Sequence, residues 1–172
     1  MRDLAEMGAA ASALLKERGE RIAISESSSG GLISAALLAV PGASSYYAGG
    51  GVIYTGRALK GLLGLSRTDL GVKGLRSSSE PYAAFLAETV RGKHRVDWGL
   101  AETGAAGPTE NSYGDPAGHT CLAVAGLRNE TRMLRTGLED RVENMWLFAE
   151  AALDFLVEAL ESAPRSKSAP NL

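Results

Sequence analysis

Three short segments hold residue types that could do chemistry together. The first is Ser25-Glu26-Ser27-Ser28-Ser29-Gly30-Gly31. It joins an apolar run to a helical one, and its glycines allow close backbone approach to a ligand. The helix start beyond it offers unpaired N–H groups and a partial positive charge. A serine in such a turn can be a nucleophile, with N–H groups around Ser29–Gly31 holding an oxyanion. The same serines serve equally well as helix caps. The second segment is Tyr54-Thr55-Gly56-Arg57-Ala58-Leu59-Lys60. A lysine whose pKa is lowered by burial can be the base for a serine, and a tyrosine can relay a proton. A solvated Lys60 and a packed Tyr54 are the plain alternative. The third is Thr103-Gly104-Ala105-Ala106-Gly107-Pro108, whose small residues suit backbone contact with a ligand or an ordinary loop.

Other candidates carry less. Cys121 sits mid-strand and reads as core, as free cysteines usually do. His119, near Asp115, could be an acid or base, but reads better as a surface histidine; His94 reads as a solvated helix end. No G-x-x-x-x-G-K-[ST], G-x-G-x-x-G or G-x-S-x-G pattern occurs, which counts against kinase, Rossmann dehydrogenase and α/β-hydrolase chemistry.

The elements that must position these segments alternate in period. Leu4 to Arg18 has helical spacing and Gly19 stops it. Strands are expected at Arg21–Ser25, Gly51–Thr55 and Trp98–Glu102, and a hairpin at Thr120–Ala125 and Thr131–Thr136. Helices are expected at Gly30–Ala39, Ala58–Leu63, from Ser79 to about Lys93, and from Asp140 to about Glu161. Leu65–Ser78 and Gly104–Gly118 read as loops, and 162–172 as a disordered tail. Strands alternating with helices predict an α/β fold: a three-layer α/β/α sandwich with a mixed, mainly parallel sheet, in one domain over residues 1–161. Ligands of such sheets bind beyond the carboxyl ends of the strands, where all three segments lie.

Composition narrows the function classes. The 172 residues include 18 Lys+Arg and 20 Asp+Glu, a net charge of −2. That balance argues against nucleic acid as a partner. One cysteine and two histidines rule out an intrachain disulfide and leave little for a metal site. No run reaches the roughly 18 apolar residues of a membrane span, and no secretory signal is evident. The expectation is a cytoplasmic protein with no membrane partner.

Taken together, the motifs resemble the CinA C-terminal domain family, whose members include bacterial nicotinamide mononucleotide deamidases. Glu26-Ser27-Ser28-Ser29-Gly30-Gly31 is similar to the family's E-S-C-T-G-G turn, and Thr103-Gly104-Ala105-Ala106-Gly107-Pro108 to its T/S-G-I-A-G-P. Val40–Ser45, Gly51–Thr55, Ser79-Glu80-Pro81, Pro116-Ala117-Gly118, Asp140-Arg141 and Ala149–Leu153 extend the likeness over Leu4 to Leu160. The pyrophosphatase-like N-terminal domain of full-length CinA proteins has no counterpart in these residues.

The resemblance implies a homo-oligomer that hydrolyses a small nucleotide, releasing ammonia from nicotinamide mononucleotide without a metal or other cofactor. It implies Ser27 as nucleophile, with Tyr54 and Thr103 catalytic beside it. Ser28, Ser29, Gly30, Gly31, Gly104, Ala105, Gly107 and Arg141 are the implied substrate-binding residues. Two positions depart from the pattern. Leu59 stands where the family has its catalytic lysine, with Lys60 one residue later, and one residue turns a helical side chain by about 100°. Lys60 can serve as a displaced base only if the turn after Tyr54 is looser. Met145 stands where the family has an arginine early in the last helix, a charged contact worth about 1.5–3 kcal/mol. Two expectations follow: an active serine amidohydrolase, or a divergent member that binds a nucleotide or acts on another substrate.

Overall fold

The computed structural model describes residues 2–165. Chain order is α1 (Leu4–Arg18), β1 (Ile22–Glu26), α2 (Leu32–Ala39), β2 (Tyr47–Val52), α3 (Gly56–Leu63), α4 (Arg67–Val72), α5 (Glu80–His94), β3 (Trp98–Ala105), β4 (His119–Ala125), β5 (Glu130–Arg135) and α6 (Arg141–Ser162), with a 3₁₀ turn at Ala43–Ser45. The sheet order is β2-β1-β3-β4-β5. β1 pairs in parallel with β2 and β3, while β3-β4 and β4-β5 are antiparallel. The fold is the expected three-layer α/β/α sandwich around a mixed sheet.

Alternation along the strands divides the core. Ile22, Ile24, Trp98, Leu100, Leu122 and Val124 face α1, α2 and α6. Ala23, Ala101, Cys121, Ala123 and Ala125 face α5 and the α3–α4 pair. Small residues on that second face let α5 lie close to β3 and β4. Both faces are covered, so β1 is buried at all five positions.

Several boundaries depart from expectation. β2 begins at Tyr47 and ends at Val52, because Thr55 is a helix cap: its hydroxyl accepts from the Ala58 N–H at 3.1 Å. α3 accordingly starts at Gly56. β3 runs on to Ala105, because β4 pairs with it as far as His119. The expected loop over 65–78 contains α4, started by a reciprocal Ser66–Asp69 capping box. The caps at Ser79 and Asp140 are as expected. Of the expected tail, Ser162 is helical, Ala163 is buried and Arg18 donates to the Pro164 carbonyl; 166–172 lie outside the described residues. Among the described residues no helix is long and apolar enough to cross a membrane.

Candidate active site

Parallel register brings the ends of β1, β2 and β3 to one edge of the sheet. Glu26 ends β1 and Glu102 lies near the end of β3, one position beyond the Ser25–Ala101 pair. Both carboxylates are buried, with Glu102 at 0% exposure. They organise the turn between them.

Glu26 caps α2. It accepts from the N–H groups of Gly31, Ile33 and Ser34 at 3.0, 3.0 and 2.8 Å, and from the Ser34 hydroxyl at 2.5 Å. A carboxylate at a helix N-terminus meets the orphan N–H groups and the positive end of the helix dipole. The cap is therefore the glutamate and not the serines; the formal N-cap, Gly31, supplies no side chain.

Glu102 holds the turn from the other side. Its Oε2 accepts from the backbone N–H groups of Ser27 and Ser29 at 3.0 and 2.9 Å, and lies 2.8 Å from the Ser29 hydroxyl. Its Oε1 accepts from the hydroxyls of Ser28 and, at 2.9 Å, Thr120. Ser29 Oγ is also 3.0 Å from Glu26 Oε2, so its single proton serves one carboxylate at a time.

Beyond this turn lies a cavity of about 310 Å³. Ser27, Tyr54, Thr103 and Gly104 line it, with Leu59, Arg67, Ser78, Tyr82, Asn111 and Tyr113. A second cavity of about 210 Å³ adjoins it and shares Tyr54, Gly104 and Asn111. Ser28, Ala105, Gly107 and Arg141 line that one. Arg141 donates to the Tyr54 hydroxyl and to the Gly107 carbonyl. The Thr103 hydroxyl accepts from the Ser78 N–H at 3.2 Å, leaving its own proton for a ligand. Ser78 adopts a left-handed φ of 57°, an uncommon conformation for a serine. Its carbonyl takes a hydrogen bond from His119 Nε2 at 3.0 Å.

Four expectations change. Lys60 is exposed and lines neither cavity, whereas Leu59, 2% exposed, forms part of the wall beside Ser27. The start of α3 at Gly56, capped by Thr55, leaves no slack to turn Lys60 inward. Ser29 is buried against the two carboxylates and lines neither cavity. The proposed oxyanion donors are engaged elsewhere: Ser29 N–H on Glu102, Gly30 N–H on the Ser27 carbonyl, Gly31 N–H on Glu26. Gly30 and Gly31 line neither cavity, and Met145 closes over Gly30: a Cβ built there would stand 2.7 Å from the Met145 methyl. Finally, His119 is buried, not superficial.

Sequence reasoning missed Glu102 and Arg67. An acidic residue inside an apolar strand is the only signal Glu102 offers. Arg67 sits in the stretch expected to be a loop, and the absent Cβ of Gly56 gives its guanidinium room: a Cβ there would stand 2.9 Å from Nε. Cys121 is core as expected. Burial first, then the carboxylates of Glu80 and Asp115, push its thiol up to about 11, so it is no nucleophile at neutral pH. Among the described residues no cluster of three or more His, Cys, Asp or Glu side chains could hold a metal ion.

A model of the CinA C-terminal domain matches residues 4–160. The chain belongs to the CinA C-terminal domain family. A CinA-like protein of Chlorobium phaeobacteroides is 39% identical over 157 residues, covering 88% of this chain and 36% of that protein. One of Gloeobacter violaceus is 37% identical over 153 residues, covering 87% and 35%. The chain thus spans about a third of the length of these CinA-like relatives. The crystal structure of competence damage-inducible protein A from Klebsiella pneumoniae superposes with a TM-score of 0.84 at 26% identity, covering 94% of this chain and 99% of that one. Competence/damage inducible protein CihA from Agrobacterium tumefaciens gives a TM-score of 0.82 at 27% identity, covering 94% and 98%.

Proposed function

We propose that this protein is a serine amidohydrolase of the nicotinamide mononucleotide deamidase type. The observation that carries the reading is Ser27. It is half-buried at the wall of the larger cavity, on a turn whose backbone is held from both sides, with Tyr54 and Thr103 lining the same space.

In this reading Ser27 Oγ attacks the carboxamide carbon. The C–N bond breaks, ammonia leaves with the serine proton, and an ester joins substrate to Ser27. Water then cleaves the ester, giving the carboxylic acid and free Ser27. With the turn's N–H groups engaged, the Thr103 hydroxyl takes over as oxyanion donor, because its oxygen is already satisfied by Ser78. Tyr54, accepting from Arg141, keeps its own proton for the departing nitrogen. Arg67 has no carboxylate partner among the described residues and supplies the positive charge that a substrate phosphate needs. Cytoplasmic location and assembly as a homo-oligomer belong to the same proposal.

Leu59 in the wall and Lys60 outside it favour a second reading, a nucleotide-binding relative without this hydrolysis. Ammonia release from nicotinamide mononucleotide separates the two. Turnover that disappears in Ser27→Ala supports the first. Saturable binding of the nucleotide without ammonia release supports the second.

A further inference from the structure

We propose that Glu102 is a positioning residue for Ser27: its carboxylate sets where the nucleophile stands relative to Thr103 and the cavity. The inference rests on the reading of Ser27 as the reactive serine.

The contacts of Glu102 are all with donors. Two come from turn backbone, Ser27 N–H and Ser29 N–H; two come from turn hydroxyls, Ser28 and Ser29; the fifth is Thr120 on β4. Among the described residues no Lys, Arg or His is hydrogen-bonded to it. A buried carboxylate without a cation is retained only where many donors compensate it. Here four of the five lie within three consecutive residues, so the compensation is also a clamp. The turn cannot move as a unit without breaking four bonds to one side chain.

The clamp is aimed. Glu102 points to the α2 side of the sheet while its neighbour Thr103 lines the cavity from the next position on the same strand. Holding the Ser27 N–H at Glu102 therefore fixes the separation of Ser27 from Thr103 through one strand residue. Glu26 cannot replace it: its five contacts go to the start of α2 and to Ser29, and none reaches Ser27. Ser28 and Ser29 acquire a role as well. Their hydroxyls complete the donor set around the carboxylate and do not contact the substrate. Glutamine at 102 has the right shape and the wrong polarity, since its NH₂ would face two or more donors.

The test uses the full chain with Glu102→Gln, Thr120→Val, Ser28→Ala and Ser27→Ala. Amide hydrogen exchange is read at Ser27 and Ser29. Labelling of Ser27 by a fluorophosphonate is read by peptide mass spectrometry, and kcat and KM for ammonia release are measured separately. In E102Q the Ser27 and Ser29 amides should exchange at least ten-fold faster while those of β5 are unchanged. Labelling and kcat should fall at least ten-fold with KM within two-fold. T120V, which spares the four turn donors, should leave Ser27 labelling within two-fold. S28A removes one donor without stranding the carboxylate, and its intermediate loss serves if E102Q does not fold. Unchanged exchange at Ser27 and Ser29 in E102Q, or in S28A if that variant alone folds, overturns the proposal. So does faster exchange with unaltered labelling. If wild-type Ser27 takes no label and E102Q still speeds the two amides selectively, the nucleophile reading fails and the clamp stands.

Discussion

Arg141 donates to the Gly107 carbonyl at 2.7 Å and to the Tyr54 hydroxyl at 3.0 Å. One guanidinium from the first turn of α6 thus joins the segments that leave β3 and β2. Arginine's planar fork reaches two acceptors at once, which a lysine cannot do. Arg141→Lys and Tyr54→Phe should each lower kcat/KM for ammonia release, and a double-mutant cycle should give a coupling of about 0.5–1.5 kcal/mol. Tyr54 is 58% exposed, so each single variant should stay within about 1 kcal/mol of wild-type stability. Strict additivity in the cycle would mean that the pair does not act together.

Leu59 and Lys60 make opposite predictions. Lys60 is exposed, so Lys60→Ala should leave turnover within two-fold and stability within about 0.5 kcal/mol. Leu59→Lys puts an amine in the wall beside Ser27, where burial lowers a lysine's pKa toward the useful range for a base. Loss of the buried leucine should cost about 2–4 kcal/mol. If that variant still folds, ammonia release should rise. Abolished turnover in Lys60→Ala would return the base to Lys60 and refute the placement.

Arg67 offers a charge without a carboxylate partner at the cavity wall. Arg67→Ala should raise KM for the nucleotide about ten-fold or more, the loss of one charge-assisted contact. The corresponding nucleoside, which lacks the phosphate, should be used equally well by both proteins. An equal loss with both substrates would assign Arg67 to the cavity's shape instead of to the phosphate.

The element order was legible because helical and strand periods alternate cleanly, and because Ser79 and Asp140 are local caps that a short window reveals. β2 was displaced because Gly49–Gly51 carry no side chains to show a period, although they sit at the sheet edge against β1. The site was legible wherever its residues follow one another along the chain, as Ser27 and Thr103 do within their motifs. Glu102 was not, because its meaning depends on a turn 75 positions away in the chain. Glu26 was hidden differently: it caps α2 from outside the usual cap position, reaching forward to Ile33 and Ser34. Lys60 was decided by a rotation about the α3 axis, which needs the helix start, and that start moved by two residues.

Asp115 and Arg76 tie the far wall of the cavity to a pH-dependent pair. Arg76 donates to both Asp115 oxygens at 2.7 and 3.0 Å, and Asn111 adds a third bond at 2.9 Å. The Arg76 bonds hold the Asp115 carboxyl below the usual aspartate range, burial partly opposing them and Asn111 and His119 adding to them. A carboxyl whose folded-state pKa is depressed stabilises the fold fully above the unfolded value of about 3.9. That contribution disappears as pH falls through the lower folded-state value. Urea midpoints for wild type and Asp115→Asn should therefore differ most at pH 5–7 and converge below about pH 3. Because Asn111 and Tyr113 line the cavity and both are bonded to this corner, the variant should also raise KM at neutral pH. A gap between the two midpoints that stays constant from pH 7 to pH 2 would show that Asp115 contributes through packing and not through its charge.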